Sequence, residues 1–359
     1  SRAMETSRLR RENSELRRKD VTSAEMLGAS PAFKALKSQL EKVTKSNGRV
    51  MLTGPAGSGK EMAARFIHAH SNRASAPFIS VSSATIEPER MEEVLFGRET
   101  TERGVEKGLL EQAHGGVVYF DEVADMPVGT QSKILRVLTE QQFTRAGGTD
   151  KVRVDLRVIS STTRDLRTEI AAGRFRQELY DRLNVVPITV PSLEDRREDI
   201  PDLTRHFIDL FHRTQALPQR TLSTEAEALL QTMSWPGNVR QLRNVIERVL
   251  ILGDGSGPID PRELPGQDVP EGDTGRLVLG GAMATLPLRE AREVFEREYL
   301  LTQINRFGGN ISRTASFVGM ERSALHRKLK SLGVVTSTKG GGRLAHLDED
   351  MDKDEGEEV

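Results

Sequence analysis

Along the first half of this 359-residue chain, short apolar runs alternate with longer stretches whose apolar residues recur every three or four positions. Residues 49–53, 78–81, 117–120, 156–160 and 188–190 read as buried strands. Between them, residues 33–43 and 61–70 carry the period of helices with one apolar face. Apolar strands joined by helices predict an α/β subdomain over 21–190, built on a parallel sheet covered on both faces. From 191 to 252 the strand pattern stops. Leu203, Phe207, Leu210 and Phe211, then Leu242, Val245, Ile246 and Val249, predict a smaller helical subdomain.

Residues 253–287 hold eight Gly and five Pro and predict a flexible linker. A compact helical module is expected over 288–334. Its first helix, 290–307, carries Val294, Leu300, Leu301 and Ile304 and ends at Gly308-Gly309. Asn310 can cap a second helix, Ile311–Val318. Gly319-Met320-Glu321 then makes a tight turn into a third helix over 322–332, which together spell a helix-turn-helix. Residues 335–359 are acidic and include Gly340-Gly341-Gly342, a composition expected to stay disordered. Residues 1–20 are polar, with Leu9 and Leu16 seven apart, and read as a linker helix.

Composition narrows the function classes. The chain has 36% hydrophobic and 29% charged residues and no Cys, which excludes disulfides and thiolate metal sites and fits a reducing cytoplasm. No run long enough for a membrane span and no secretory signal is present, so no membrane partner is expected. The net charge of -1 hides an asymmetry. Residues 288–333 hold nine Lys/Arg against five Asp/Glu, whereas 334–359 hold three against eight. A basic module beside an acidic tail points to a nucleic-acid partner.

Gly54-Pro55-Ala56-Gly57-Ser58-Gly59-Lys60 follows a strand and opens a helix, the context a phosphate-binding loop requires. Glycines let the backbone wrap phosphates, with N–H groups and the helix dipole facing the charge. Lys60 would reach the β- and γ-phosphates of ATP or ADP. Glu61 stands where a Ser or Thr magnesium ligand is usual. A second strand delivers Asp121 and Glu122 at the mouth of the sheet. Asp121 would organise Mg²⁺, and Glu122 would orient or deprotonate a water. His68 and His70, two apart on a helix, point to different faces and read as packing or surface residues.

With these motifs in order, the stretch from Leu27-Gly28-Ala29-Ser30-Pro31 to Leu252 resembles the AAA+ ATPase domain of the sigma-54-dependent transcription activators. Glu61, directly after the P-loop lysine, is shared with that family. So are residues 175–184, Asp195-Arg196-Arg197-Glu198-Asp199-Ile200 and Trp235-Pro236-Gly237-Asn238-Val239-Arg240. The resemblance implies a helical lid over 191–252. It marks Arg176 and Arg182 as arginine fingers reaching a neighbouring subunit's γ-phosphate, a task suited to a guanidinium. It marks Arg240 as the lid arginine, and Thr162 and Thr163 as the sensor position. Two departures stand out. Only Thr100 to Lys107 join Leu95-Phe96-Gly97-Arg98-Glu99 to Gly108, where the family carries a longer segment with a Gly-Ala-Phe-Thr-Gly-Ala loop that pushes on the sigma factor. Ser82 stands where the family usually has an Asn that holds the catalytic Glu.

The module over 288–334 resembles the Fis-type DNA-binding domain of the same activators. Arg322, Ser323, His326, Arg327 and Lys330 would project from its last helix, with Arg322 and Ser323 near base edges. Lys328 and Lys330 would meet phosphates. The long first helix implies a dimer on a palindromic operator. Together the resemblances imply a response regulator of a two-component system of the nitrogen- or redox-signalling kind. A phosphoacceptor receiver ahead of residue 1 would then link it to a sensor kinase. The expectation is a DNA-binding transcriptional regulator whose ATP site controls homo-oligomerisation, with weak ATPase activity and no remodelling of sigma-54 polymerase. A working sigma-54 activator that contacts RNA polymerase, and a repressor or architectural DNA binder with a vestigial ATP site, stay open as alternatives.

Overall fold

A computed structural model of the chain describes residues 26–100, 104–253, 257–264 and 288–334. The expected linker helix over 1–20 and acidic tail over 335–359 lie outside the described residues. The chain divides into two units, Ser1–Gln267 and Asp268–Val359.

The first unit contains nine described strands: β1 Val50–Thr53, β2 Phe78–Ser82, β3 Gly97–Thr100, β4 Gly104–Lys107, β5 Val117–Asp121, β6 Gln142–Thr144, β7 Lys151–Arg153, β8 Arg157–Thr162 and β9 Val186–Thr189. Five of them form a parallel sheet in the order β2-β5-β8-β1-β9. These are the five apolar runs expected from the sequence. Its helices are α1 Pro31–Thr44, α2 Lys60–Ala69, α3 Pro88–Phe96, α4 Leu109–Gln112, α5 Val128–Glu140, α6 Leu166–Ala171 and α7 Gln177–Leu183, then α8 Ile200–Gln215, α9 Thr224–Thr232 and α10 Asn238–Leu252 in the lid.

Alternation along each strand sends successive side chains to opposite faces of the sheet. Val50, Leu52, Val117 and Tyr119 pack with Leu36 and Leu40 of α1 and Phe66 and Ile67 of α2. Met51, Val118, Phe120 and Val158 pack with Leu95 of α3, Ile134 of α5 and Leu179 of α7 on the other face. Only Val81 of β2 is fully buried. The run at 78–81 is therefore an edge strand rather than a central one, because its outer side has no neighbour. Ser30 caps α1 by accepting the Phe33 N–H, and Pro31 sits at the first turn where no N–H is needed. Arg157, buried inside β8, donates to the Val43 carbonyl at 2.6 Å at the far end of that helix.

The lid core gathers Leu203, Phe207 and Phe211 of α8, Leu230 of α9 and Leu242, Ile246 and Val249 of α10 around Trp235. Residues 257–264 lie in the stretch expected as linker, yet they form a strap on this core. Ile259 and Leu264 are buried in it, and Ile259 bridges to Leu222. Arg220 clasps the strap through Glu263 at 2.6 Å. Two apolar residues among prolines are too few to show a period, so the pattern gave no sign of the strap. Among the described residues, no helix is long and apolar enough to cross a membrane.

In the second unit, α11 Leu288–Arg306, α12 Ile311–Val318 and α13 Arg322–Ser331 pack through Leu300, Ile304, Ala315, Leu325 and Leu329. Asn310 caps α12 through the Arg313 N–H, and Gly319 turns the chain with φ of 71°.

Candidate functional site

β1 ends between β8 and β9 and the chain turns at once into α2. That turn is Gly54 to Gly59. Gly54, Gly57 and Gly59 have φ of 152°, 72° and 105°, and a Cβ on Gly57 would lie 2.2 Å from the Gly237 carbonyl oxygen. A side chain there is excluded both by backbone and by space. Ser58 is buried, and its Oγ has no hydrogen-bond partner among the described residues. Lys60 is buried with its Nζ donating to the carbonyls of Gly54 and Pro55 at 3.0 and 3.3 Å.

β5 lies two strands away and delivers Asp121 and Glu122 to the same end of the sheet. Lys60 Nζ is 3.4 Å from Glu122 Oε1. The other oxygen, Glu122 Oε2, accepts from the Thr163 amide and hydroxyl, each at 2.9 Å. Asp121 Oδ1 accepts from Ser161 Oγ at 2.6 Å and from Tyr119 Oη at 2.8 Å. Burial, and then the Asp121 carboxylate, pushes the Tyr119 phenol well above its ordinary range, so it acts as a hydroxyl donor.

The lid closes on the P-loop from the other side. Asn238 Nδ2 donates to Ala56 O at 2.9 Å while Asn238 Oδ1 accepts from Leu193 N at 2.7 Å. The Arg240 amide meets Gly57 O at 3.3 Å. Arg240, Arg248, Gln241, Ala56 and Gly57 line a cleft of about 330 Å³. Arg196 stands behind the loop, buried, with Nη2 on Ser58 O at 3.2 Å and its guanidinium 5.6 Å from the Phe33 ring. Burial lowers its pKa from the usual arginine value, with Asp199 opposing. Asp199 holds the start of α1 by accepting from Ala29 N, Ser30 N and Ser30 Oγ at 2.7, 2.8 and 2.7 Å.

The short segment after α3 is an antiparallel hairpin, β3 against β4, with Thr100 opposite Gly104. Its base is fixed. Glu99 N and Ala146 N exchange hydrogen bonds with Ala146 O and Gly97 O at 2.9 and 3.0 Å. Arg145 pairs with Glu111 at 2.9 Å and reaches Glu99 at 3.8 Å. Residues 101–103 of its tip lie outside the described residues.

In the second unit, Arg322, Ser323, Arg327 and Lys330 are exposed on α13 and His326 is half-buried. At 100° per residue they share one arc of about 140°, which begins beside the face of Leu325 and Leu329 and runs away from it. Lys328 falls off that arc, and its Nζ pairs with Glu296 of α11.

Three segments of the chain match known domains: residues 26–189 the sigma-54 interaction domain, 194–275 the AAA+ ATPase lid domain, and 291–332 the Fis family of bacterial regulatory proteins. The nitrogen assimilation regulatory protein NtrX of Azorhizobium caulinodans is 56% identical over 343 residues, which span 93% of this chain and 74% of that protein. The chain belongs to the NtrX-like response regulators. A putative NtrX-like response regulator of Rickettsia typhi is 42% identical over 93% of this chain and 71% of its own length. The crystal structure of NtrX from Brucella abortus in complex with ATP superposes with a TM-score of 0.78 at 53% identity, covering 93% of this chain and 74% of that one. This NtrX-like chain is thus a two-component response regulator with a sigma-54-activator domain and a Fis-type DNA-binding domain.

Of the residues singled out in the NtrX-like sequence, Lys60, Asp121, Glu122 and Arg240 meet around the P-loop. Glu61 turns away and pairs with Arg65 at 2.8 Å. Arg176 and Arg182 do not join that cluster. Arg176 stands at the N-cap of α7, where it contacts Ser132 Oγ at 3.2 Å and Glu178 at 3.6 Å, and Arg182 is exposed in the last turn of that helix. Gln131 fixes the approach to α7 by accepting the Arg176 N–H at 2.9 Å while donating to Arg174 O. Glu122 is held by Thr163, with no contact to Ser82. The hydroxyls of Tyr119 and Ser161 went unremarked in the sequence. Their signal was the spacing of two between Tyr119 and Asp121, which puts both on one face of β5. His68 and His70 bond to backbone carbonyls at 3.0 and 2.9 Å.

Proposed function

We propose that this chain is a DNA-binding transcriptional regulator whose AAA+ unit binds ATP or ADP between subunits and uses it to control self-assembly, without remodelling sigma-54 polymerase. The observation that carries the reading is a P-loop cluster of Lys60, Glu122, Asp121 and Arg240 in the same unit as a hairpin too short for a sigma-contacting loop.

The residues present fit a nucleotide with Mg²⁺. The loop glycines leave a cradle, Ser58 Oγ is a buried hydroxyl with no partner among the described residues, and Asp121 Oδ2 has none either. Lys60 would take the β- and γ-phosphates, Asp121 would hold the metal's shell, and Glu122 would orient water. The metal, when bound, supplies charge neutralisation at the phosphates. Arg240 would contact nucleotide in its own subunit. Arg176 and Arg182 lie outside that cluster, which suits fingers offered to the next subunit. The ATP complex of the Brucella relative supports nucleotide binding here.

On DNA, the arc of Arg322, Ser323, His326, Arg327 and Lys330 would face the major groove and the phosphates. Lys328 is committed to Glu296 and contributes less. Val294, Phe295 and Tyr299 are 39, 57 and 41% exposed on α11, an apolar stripe suited to pairing two copies. Assembly through the AAA+ unit would add effective concentration on a palindromic operator.

Light scattering and DNA binding, with and without ATP, test the reading. Assembly and affinity are expected to rise with ATP and to lose that response in Lys60→Ala. An unchanged response in that variant rejects the nucleotide part. The match to the sigma-54 interaction domain favours a second reading, a working activator. ATP-dependent open-complex formation by sigma-54 polymerase would establish it and reject the first.

A further inference from the structure

Two buried hydroxyls serve the carboxylate pair at the end of β5 and have no place in the function just described. Tyr119 and Ser161 are both 0% exposed. Tyr119 shares a face of β5 with Asp121, and the pairing of Tyr119 with Ile159 carries Ser161 alongside Asp121. Ser161 Oγ donates its one proton to Asp121 Oδ1 at 2.6 Å. It can then accept from Tyr119 Oη at 2.8 Å and from the Glu122 N–H at 3.4 Å. Tyr119 Oη also lies 2.8 Å from Asp121 Oδ1. The single Tyr119 proton is thus shared between Ser161 Oγ and Asp121 Oδ1, so both hydroxyls act on Oδ1, while Oδ2 has no hydrogen-bond partner among the described residues.

Glu122 depends on the same hydroxyl. Its φ is 54°, a left-handed conformation costly for a residue with a side chain. The bond from its amide to Ser161 helps hold that turn, and the turn aims its carboxylate at Lys60 and Thr163.

We propose that Tyr119 and Ser161 are positioning residues for Asp121 and Glu122, fixing Asp121 with Oδ2 presented toward the P-loop and so setting the magnesium concentration at which the site takes ATP. This rests on the nucleotide reading above. Phe and Ala would fill nearly the same space, so the two oxygens serve orientation rather than packing.

The test is ATP affinity of the full chain, measured by calorimetry across a magnesium titration and again in EDTA. Tyr119→Phe removes a single oxygen, and Ser161→Ala removes the hub. Each is expected to raise the magnesium midpoint about tenfold, the scale of one buried hydrogen bond to a charged group, with affinity in EDTA unchanged. The double variant should fall short of the product of the two, because both hydroxyls act on one oxygen. Ser161→Thr, which restores a hydroxyl, should recover the midpoint. Midpoints within about twofold of wild type, or equal losses in EDTA and magnesium, overturn the proposal. If the wild-type chain binds no nucleotide at any magnesium concentration, the nucleotide reading fails and this one falls with it.

Discussion

Lys60 Nζ stands 3.4 Å from Glu122 Oε1, so the cation of the P-loop and the carboxylate at the end of β5 partly neutralise each other. A polyanion in the loop would compete for Lys60 and leave Glu122 to Thr163 alone. Glu122→Gln keeps the shape and removes the base. It should retain ATP binding and lose hydrolysis by about 100-fold or more. Filter binding beside a phosphate-release assay separates the two effects.

Thr163 grips Glu122 Oε2 twice, through its amide and its hydroxyl. Thr163→Val keeps the amide and the volume. Hydrolysis should drop about tenfold while nucleotide affinity stays within about twofold. Single-turnover kinetics with prebound ATP read this directly. An equal loss of affinity would mean that Thr163 acts on the loop instead.

Asn238 joins the lid to the P-loop through Ala56 O and Leu193 N, and its own φ is 50°. Asn is one of the few side chains that tolerate that backbone. Asn238→Ala should cost about 1–3 kcal/mol by leaving a buried amide and a carbonyl unpaired. Asn238→Asp should keep the Leu193 bond but lose the one to Ala56. Urea midpoints with unchanged slopes would confirm a stability effect.

Hydrogen bonds from Arg220 hold the Glu263 carboxyl below its ordinary value near 4.5. The folded pKa is thus lower than the unfolded one. The stability it contributes is full above the ordinary value and is lost as pH falls through the folded pKa. Glu263→Gln should flatten the acid side of the stability curve and leave neutral pH less stable. Denaturation midpoints measured across the acid range test it, and a parallel shift at every pH would refute the linkage.

Arg322 is exposed on α13 with no ion pair among the described residues, whereas Lys328 is paired with Glu296. Arg322→Ala should weaken operator binding by about 1–3 kcal/mol and relax its sequence preference, and Lys330→Ala should lower the salt slope by about 1. Lys328→Ala should leave the salt slope nearly intact and act mainly on the stability of the three-helix unit. Hydrogen bonds from Lys328 first and Arg292 second hold the Glu296 carboxyl below its ordinary range, so acid should loosen the same contact.

The central strands were legible because burial on both faces leaves an unbroken apolar run, as in residues 117–120. The P-loop was legible because its glycines answer a local backbone demand. Long-range polar contacts were not. Ser161 reads as one more small residue in β8, and its partners lie about 40 positions away. Arg157 interrupts an apolar strand, and only the position of the α1 carboxyl end explains it. The strap at 257–264 escaped notice because two apolar residues set no rhythm. Lys328 and Lys330 look alike in sequence, and only the path of α11 separates them.

The hairpin fixes its two rails, and three residues, 101–103, make up the crown between them. Thr100 and Gly104 face each other at its last pair, and the hydrogen bonds that anchor it run through Gly97, Glu99 and Ala146. A chain of any length can depart from one rail and return to the other without disturbing the sheet, since lengthening a loop costs little. The crown is in that sense an exchangeable head on a permanent mount. What the molecule pushes or touches at this point could change in one insertion, while the nucleotide cluster and the helix-turn-helix stay as they are.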